Sequence, residues 1–274
     1  MTSLPDPWHP LRALTAARIA LGRSGSSLPT SAHLDFQLAH ARARDAVHHP
    51  ADLDVVAAAL DAVSLDHVRL TSRCIDAAAY LKRPVLGRRL DDASRAAVPG
   101  VRREGEWDLS IVVADGLSGF AVERHAAALA TALARRLGSE GWRIAPIAVV
   151  RHGRVAVGDE IGELFGASLV VVLLGERPGL SAPDSLGAYL TWAPRVGRTD
   201  AERNCVSNIR PEGLPIPAAA DKLCWLLREA RRRRGSGVAL KDEAPAGPIV
   251  GPGHPMPGGT GPEQQPVADQ ARHC

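Results

Sequence analysis

The chain has 274 residues, which is enough for one large domain or two small ones with a sizeable hydrophobic core. Its 33 basic and 30 acidic residues give a formal charge of +3, too small to argue for nucleic-acid binding. Aromatic residues make up only 4% of the chain, so alanine, valine and leucine must supply most of the packing.

The cysteines and the hydropathy pattern exclude further classes of protein. Cys74, Cys205, Cys224 and Cys274 are widely separated, without the CxxC or Cys/His spacing of a zinc site, which disfavours a metal–thiolate centre. No signal peptide begins the chain, and no apolar run approaches the ~20 residues of a membrane span. We therefore expect a cytoplasmic protein with free thiols, no bound metal and no membrane partner.

The first 100 residues have a helical pattern. Residues 31–47 and 51–63 carry apolar side chains three and four positions apart, as in amphipathic helices, and Ser31 is a plausible N-cap. A short helix is expected before them, ended by Gly22 and followed by an extended Ser/Gly-rich loop. We therefore predict that residues 1–100 form a helical N-terminal region.

Residues 101–243 alternate between apolar runs and helical patterns. The apolar runs predict buried strands at 109–114, 144–150 and 168–174, and the helical patterns cover residues 120–138, 159–166 and 218–234. This alternation predicts an α/β fold with a mostly parallel sheet flanked by helices. Residues 244–274 are rich in proline and glycine and predict a disordered tail.

Acidic residues follow two of the predicted strands. Asp115 lies in ADGLSG, Glu176 lies in GERPG, and the polar segment 151–163 follows the strand between them. If the sheet is parallel, these three loops meet at the edge where such folds bind ligands. Two structural alternatives stay open: Asp115 caps the next helix, or Glu176 pairs with Arg177 or another arginine.

Several common catalytic motifs are missing. The sequence has no GxGxxG after a strand and no GxxxxGK[ST], which disfavours a phosphate-binding loop, and it has neither HExxH nor GxSxG. Cys205 is in a polar segment, and as a nucleophile it would need a histidine base such as His125 or His152. A thiol that packs or touches a ligand is the favoured interpretation.

The chain resembles the small (light) subunit of ethanolamine ammonia-lyase between about Asp6 and Glu243. The similar segments occur in that family's order and include DPWHPLRALTAARIALGRSGSSLPT, YLKRPVLGRRLD, IVVADGLSGFAVERHA, GRVAVGDEIGE, VVLLGERPGL, PDSLGAYLTWAPRVGRTDAERNCVSNIRPEG and SGVALKDE. The resemblance implies an enzyme that converts ethanolamine to acetaldehyde and ammonia with adenosylcobalamin. It implies that the substrate pocket lies in a TIM-barrel large subunit and that the small subunit has a Rossmann-like cobalamin-binding domain at residues 101–243.

The resemblance also implies three cofactor contacts. They fall on Val155 in GRVAVGDEIGE, on Glu176 in GERPG and on Cys205 in ERNCVSNI. These residues would cover the lower face of the corrin with its own base still on cobalt (base-on), and none of them need be catalytic. The chain lacks the Asp-x-His-x-x-Gly string whose histidine replaces that base in some corrinoid proteins, which agrees with base-on binding.

The resemblance sets expectations for partners and location as well. Small and large subunits would gather into a larger hetero-oligomer, and residues 1–100 are our candidate for the large-subunit contact. The family's extension for entry into a bacterial microcompartment is not visible before DPW, so free cytoplasm is favoured. Two alternative functions are an independent Rossmann-type enzyme and a non-catalytic scaffold protein.

Overall fold

A computed structural model describes residues 6–15, 17–98 and 107–243. The strands are β1 (His67–Thr71), β2 (Trp107–Ala114), β3 (Ile147–Arg151), β4 (Ala167–Gly175), β5 (Leu186–Trp192) and β6 (Arg203–Ile209). The α-helices are α1 (Thr30–His48), α2 (Leu53–Asp61), α3 (Ala77–Lys82), α4 (Asp92–Ala97), α5 (Gly119–Ala121), α6 (Ala127–Ser139), α7 (Val157–Phe165) and α8 (Ile216–Arg233). A π-helical turn, Val122–Ala126, joins α5 to α6, and short 3₁₀ helices lie at His9–Leu14, Leu86–Arg88, Asp200–Glu202 and Gly237–Ala239.

The six strands form one mixed sheet in the order β1-β3-β2-β4-β5-β6. β1 to β4 are parallel, whereas β5 is antiparallel to β4 and β6 is antiparallel to β5. The α/β prediction is confirmed, but the parallel arrangement holds for β1 to β4 only. Residues 176–185 connect β4 to β5, and this link is shorter than the dozen or more residues that a parallel crossover needs.

Helices cover both faces of the sheet. Side chains alternate along β2, so Ile111 and Val113 pack on one face with α2, α6 and α8, while Val112 and Ala114 pack on the other with α7. These β2 side chains are fully buried. The continuous apolar runs in the sequence therefore reflect burial on two sides, as predicted.

The N-terminal region differs from the prediction in two places. β1 lies within residues that were predicted to be helical, and it joins the sheet beside β3. It was missed because it is a short edge strand in which only Leu70 is fully buried, so its apolar pattern is weak. The short helix predicted up to Gly22 is a 3₁₀ helix that ends at Leu14, and none of its side chains is buried against the described residues.

Two predictions concern residues that the structure does not describe. The boundary expected near residue 100 falls within residues 99–106, and the predicted disordered tail covers residues 244–274. Both stay predictions. Among the described residues, no helix has the length and apolar character needed to cross a membrane.

Candidate functional site

The loops after β2, β3 and β4 lie at one edge of the sheet, because parallel strands end on the same side. A cavity of about 930 Å³, a size typical of small-molecule sites, lies at this edge. Its walls include Leu117 after β2, Val155 after β3, Glu176 after β4 and Tyr189 on β5. Arg88, from the N-terminal region, also lines it.

Asp115 connects two of these loops. Its carboxylate accepts hydrogen bonds from the backbone N–H groups of His152, at 2.7 Å, and Gly153, at 3.1 Å. His152 has a positive φ of 57°, a conformation that is uncommon for a residue with a side chain and that these bonds help to hold. The helix-capping interpretation of Asp115 is wrong, since the hydroxyl of Ser118 caps α5 by accepting from the N–H of Ala121.

Val155 lies just before α7 and is half-buried in the cavity wall. The N–H of the preceding residue, Arg154, donates to the carbonyl oxygen of Gly87 at 2.7 Å. A Cβ on Gly87 would lie 2.9 Å from the carbonyl oxygen of His152, so only glycine permits this close approach. The Val155 loop is therefore held between the β2 loop and the N-terminal region.

Glu176 is bound by its own chain. Its carboxylate accepts hydrogen bonds from the hydroxyl of Ser185, from the hydroxyl of Ser207 at 2.6 Å and from the N–H of Asn208 at 3.2 Å. No arginine in the described ranges forms an ion pair with it, so the alternative of an Arg177 partner is not the observed arrangement. These bonds join the end of β4 to the end of β6 and fix the carboxylate at the cavity.

Cys205 lies on β6 opposite Tyr189 on β5, and it is exposed. Local desolvation around the thiol and the negative charge of Glu176 raise the pKa of Cys205 above its usual value, which keeps the thiol protonated. Neither His125 nor His152 is hydrogen-bonded to it in the described structure. The geometry therefore supports the interpretation of Cys205 as a neutral contact and not as a nucleophile.

The sequence analysis missed an ion pair beneath the cavity. Arg203 donates two hydrogen bonds of 2.6 Å to the buried carboxylate of Asp159 and one of 3.0 Å to the hydroxyl of Thr191. Burial tends to lower the pKa of Arg203, but the hydrogen bonds and charge of Asp159 raise it overall. The pair joins α7 to β6, and no sequence motif marks it because the two residues are 44 positions apart.

The loop before β6 has its own cap. Thr199 and Glu202 form a capping box on the 3₁₀ helix Asp200–Glu202. The N–H of Thr199 and the guanidinium of Arg198 lower the pKa of Glu202 to about 2, so this carboxylate is charged at neutral pH. The box orients residues 197–200, which line the cavity.

A family model for the ethanolamine ammonia-lyase light chain (EutC) matches residues 5–241. The chain belongs to this family. It is 58% identical over 250 residues to the ethanolamine ammonia-lyase small subunit of Azotobacter vinelandii (strain DJ / ATCC BAA-1303). The aligned region covers 90% of this chain and 93% of that protein. The corresponding proteins of Pseudomonas aeruginosa (strain LESB58) and Xanthomonas campestris pv. campestris (strain B100) are 56% identical over 244 and 248 residues, covering 88% and 90% of this chain and 89% and 91% of theirs.

Membership of the ethanolamine ammonia-lyase light chain family confirms the resemblance found in the sequence. The three contacts at Val155, Glu176 and Cys205 stay predictions. Two of them, Val155 and Glu176, line the cavity, and Cys205 lies beside the cavity residue Tyr189. In the part of the chain that the structure describes, no group of three or more histidine, cysteine or acidic side chains is arranged to hold a metal ion.

Proposed function

We propose that this chain is the small subunit of an ethanolamine ammonia-lyase and that it holds the lower face of base-on adenosylcobalamin against a large TIM-barrel subunit. The observation that supports this most directly is that Val155 and Glu176, which the family resemblance marks as cofactor contacts, line the same cavity. In this proposal the two-chain complex converts ethanolamine to acetaldehyde and ammonia. The described chain contributes binding and orientation and no catalytic residue.

The cavity residues fit a corrinoid. Val155 supplies an apolar wall, and three hydrogen bonds leave the carboxylate of Glu176 with capacity to accept a further one from a side-chain amide of the corrin. Arg154 also lines the cavity and has no carboxylate partner in the described structure, so the cavity offers a positive charge as well. When bound, adenosylcobalamin supplies a radical by homolysis of its cobalt–carbon bond, which no protein side chain can do.

The remaining parts of the proposal concern assembly and location. The Rossmann-like character that the family implies is limited here to the parallel strands β1 to β4 with their carboxyl-edge cavity. Residues 1–100 are proposed as the main contact with the large subunit, and heterodimers are proposed to form a larger hetero-oligomer. The proposed location is the cytoplasm, with a bacterial microcompartment left open.

Co-expression with a candidate large subunit tests this function. We expect the purified complex to retain added cobalamin, as measured by its absorbance spectrum, and to release acetaldehyde from ethanolamine with adenosylcobalamin present. The chain alone should release none. Deamination by the chain alone, or a complex that takes up no cobalamin, would overturn the proposal.

The same preparation separates the two alternative functions. An independent Rossmann-type enzyme would bind NAD or ATP, which calorimetry on the isolated chain would detect. A scaffold would assemble with the large subunit but leave its cobalamin affinity unchanged. Either result would replace the proposed function with that alternative.

A further inference from the structure

The lining of the cavity at the carboxyl edge holds more arginines than carboxylates, which are Glu176 and Asp200. Five of its lining residues are arginines, of which Arg198 pairs with Glu202, and Arg203 pairs with Asp159. The other three are Arg88, Arg154 and Arg177. In the described ranges none of these three has a carboxylate partner; Arg154 is half-buried, and Arg88 and Arg177 are exposed.

Arg154 is held in a fixed position by Tyr80. Its Nη2 donates to the carbonyl oxygen of Tyr80 at 3.0 Å, and its guanidinium carbon lies 3.9 Å from the centroid of the Tyr80 ring. Its Nε is buried without a partner among the described residues. The guanidinium has no carboxylate partner in the described ranges, so its positive charge favours a ligand that accepts a hydrogen bond and carries negative charge.

The start of α7 adds two further donors. The backbone N–H groups of Val155 and Ala156 have no hydrogen-bond partner in the described structure, and both residues line the cavity. The N-terminus of a helix favours anions. The two acidic residues in the first turn of α7 do not cancel this effect, because Asp159 pairs with Arg203, and Glu160 pairs with Arg95.

We infer that Arg88, Arg154 and Arg177, with the start of α7, form an anion subsite that receives a phosphate group. On the basis of the proposed function, this phosphate group is the phosphodiester in the nucleotide tail of the corrinoid. The side-chain amides of a corrinoid are neutral, so the phosphodiester is the group that a cluster of guanidinium donors would recognise. A free phosphate ion has the same chemistry and is the competing source.

The test compares three ligands that differ stepwise in the tail. Cobalamin carries the phosphate and the lower base, cobinamide phosphate carries the phosphate alone, and cobinamide carries neither. Each is titrated into the two-chain complex and followed by absorbance, for wild type, Arg177→Gln and Arg88→Gln. The matched control is Arg135→Gln, which removes an exposed arginine on α6 that is outside the cavity lining.

We expect each cavity variant to raise Kd about tenfold for cobalamin and for cobinamide phosphate, the size of one charge-assisted hydrogen bond. Kd for cobinamide should stay unchanged, and Arg135→Gln should change none of the three values. A loss that is equal for all three ligands, or no loss for any of them, would overturn the inference while leaving the proposed function intact.

Calorimetry with inorganic phosphate on the same complexes distinguishes the two sources. A site for free phosphate would give two results: the wild-type complex binds phosphate and Arg177→Gln does not, while Arg177→Gln leaves the affinity for cobinamide phosphate unchanged. These results would overturn the assignment to the tail. A wild-type complex that binds no corrinoid at all would overturn the proposed function and the tail assignment together.

Discussion

Glu176 has a fixed position at the edge of the candidate site. Its carboxylate receives hydrogen bonds from two serine hydroxyls and one backbone N–H, so its position is fixed before any ligand arrives. A carboxylate that is already oriented loses little side-chain entropy when a ligand binds. These surroundings support the proposed role of Glu176 in binding.

We predict that Glu176→Ala raises Kd of the two-chain complex for cobalamin about tenfold, because about 1.4 kcal/mol of charged hydrogen bonding is lost. An absorbance titration measures it. Glu163→Ala is the control, since Glu163 accepts a hydrogen bond from the N–H of Val196 and does not line the cavity. An unchanged titration in a variant with a normal circular dichroism spectrum would remove Glu176 from the site.

Asp115 marks the limit of what a local pattern can predict about a residue. Aspartate is a common N-cap residue, yet here Ser118, which directly precedes α5, caps the helix. Asp115 instead binds the backbone of residues 152 and 153, which are distant in sequence. Its partners depend on the pairing of β2 with β3, which no local window contains.

Among the elements, the loop after β2 crosses the end of β4 and contacts it closely at the carboxyl edge of the sheet. The N–H of Leu117 donates to the carbonyl oxygen of Gly175 at 2.9 Å. Gly116 has a φ of 65°, and a Cβ built on it would lie 2.3 Å from the same oxygen. The two loops can approach only because residue 116 is glycine.

Gly116→Ala should therefore lower the free energy of unfolding by at least about 2 kcal/mol, from backbone strain and overpacking together. Urea unfolding followed by circular dichroism measures the change. Gly138→Ala is the matched control: Gly138 is in α6 with nothing within 4 Å of an added Cβ, so alanine should raise stability by up to about 1 kcal/mol. Equal effects of the two substitutions would contradict this account of the edge.

At the scale of the whole molecule, the N-terminal segment contributes apolar surface and little core. Trp8 and Leu14 are 65% and 78% exposed, and the 3₁₀ helix His9–Leu14 has no buried residue. The later part of residues 1–100 does contribute to the core: Leu53 and Leu60 of α2 are buried there, and β1 pairs with β3. The two parts of residues 1–100 thus have different roles in folding.

We predict that deleting residues 1–28 changes the free energy of unfolding by no more than about 0.5 kcal/mol but weakens assembly with the large subunit, since exposed apolar surface favours association. Deletion through residue 101 would also remove β1 and α2 and should prevent folding. Size-exclusion chromatography of the mixed subunits measures assembly.

Point variants refine this test. Leu14→Ser should weaken assembly, whereas Val238→Ser, which removes an equally exposed apolar side chain elsewhere, should not. Full assembly of the chain that lacks residues 1–28 would contradict the proposed contact.

The α/β class, the strands β2, β3 and β4, the long helices and the family could all be predicted from the amino-acid sequence. These features have strong local signals, because buried strands are continuously apolar and long helices repeat every three or four residues. The sequence also placed Val155 and Glu176 at a common edge, because parallel strands end together.

The assembly of the site could not be predicted from local sequence patterns. The edge strand β1, the antiparallel pair β5 and β6, and the Asp159–Arg203 ion pair depend on contacts between distant parts of the chain. Arg88, Arg154 and Arg177, which have no carboxylate partner among the described residues, come from three separate segments and line one cavity only in the folded chain. The periodicity of a segment indicates which of its own side chains are buried. The charge of a cavity depends on side chains from several segments, which become neighbours only in the folded chain.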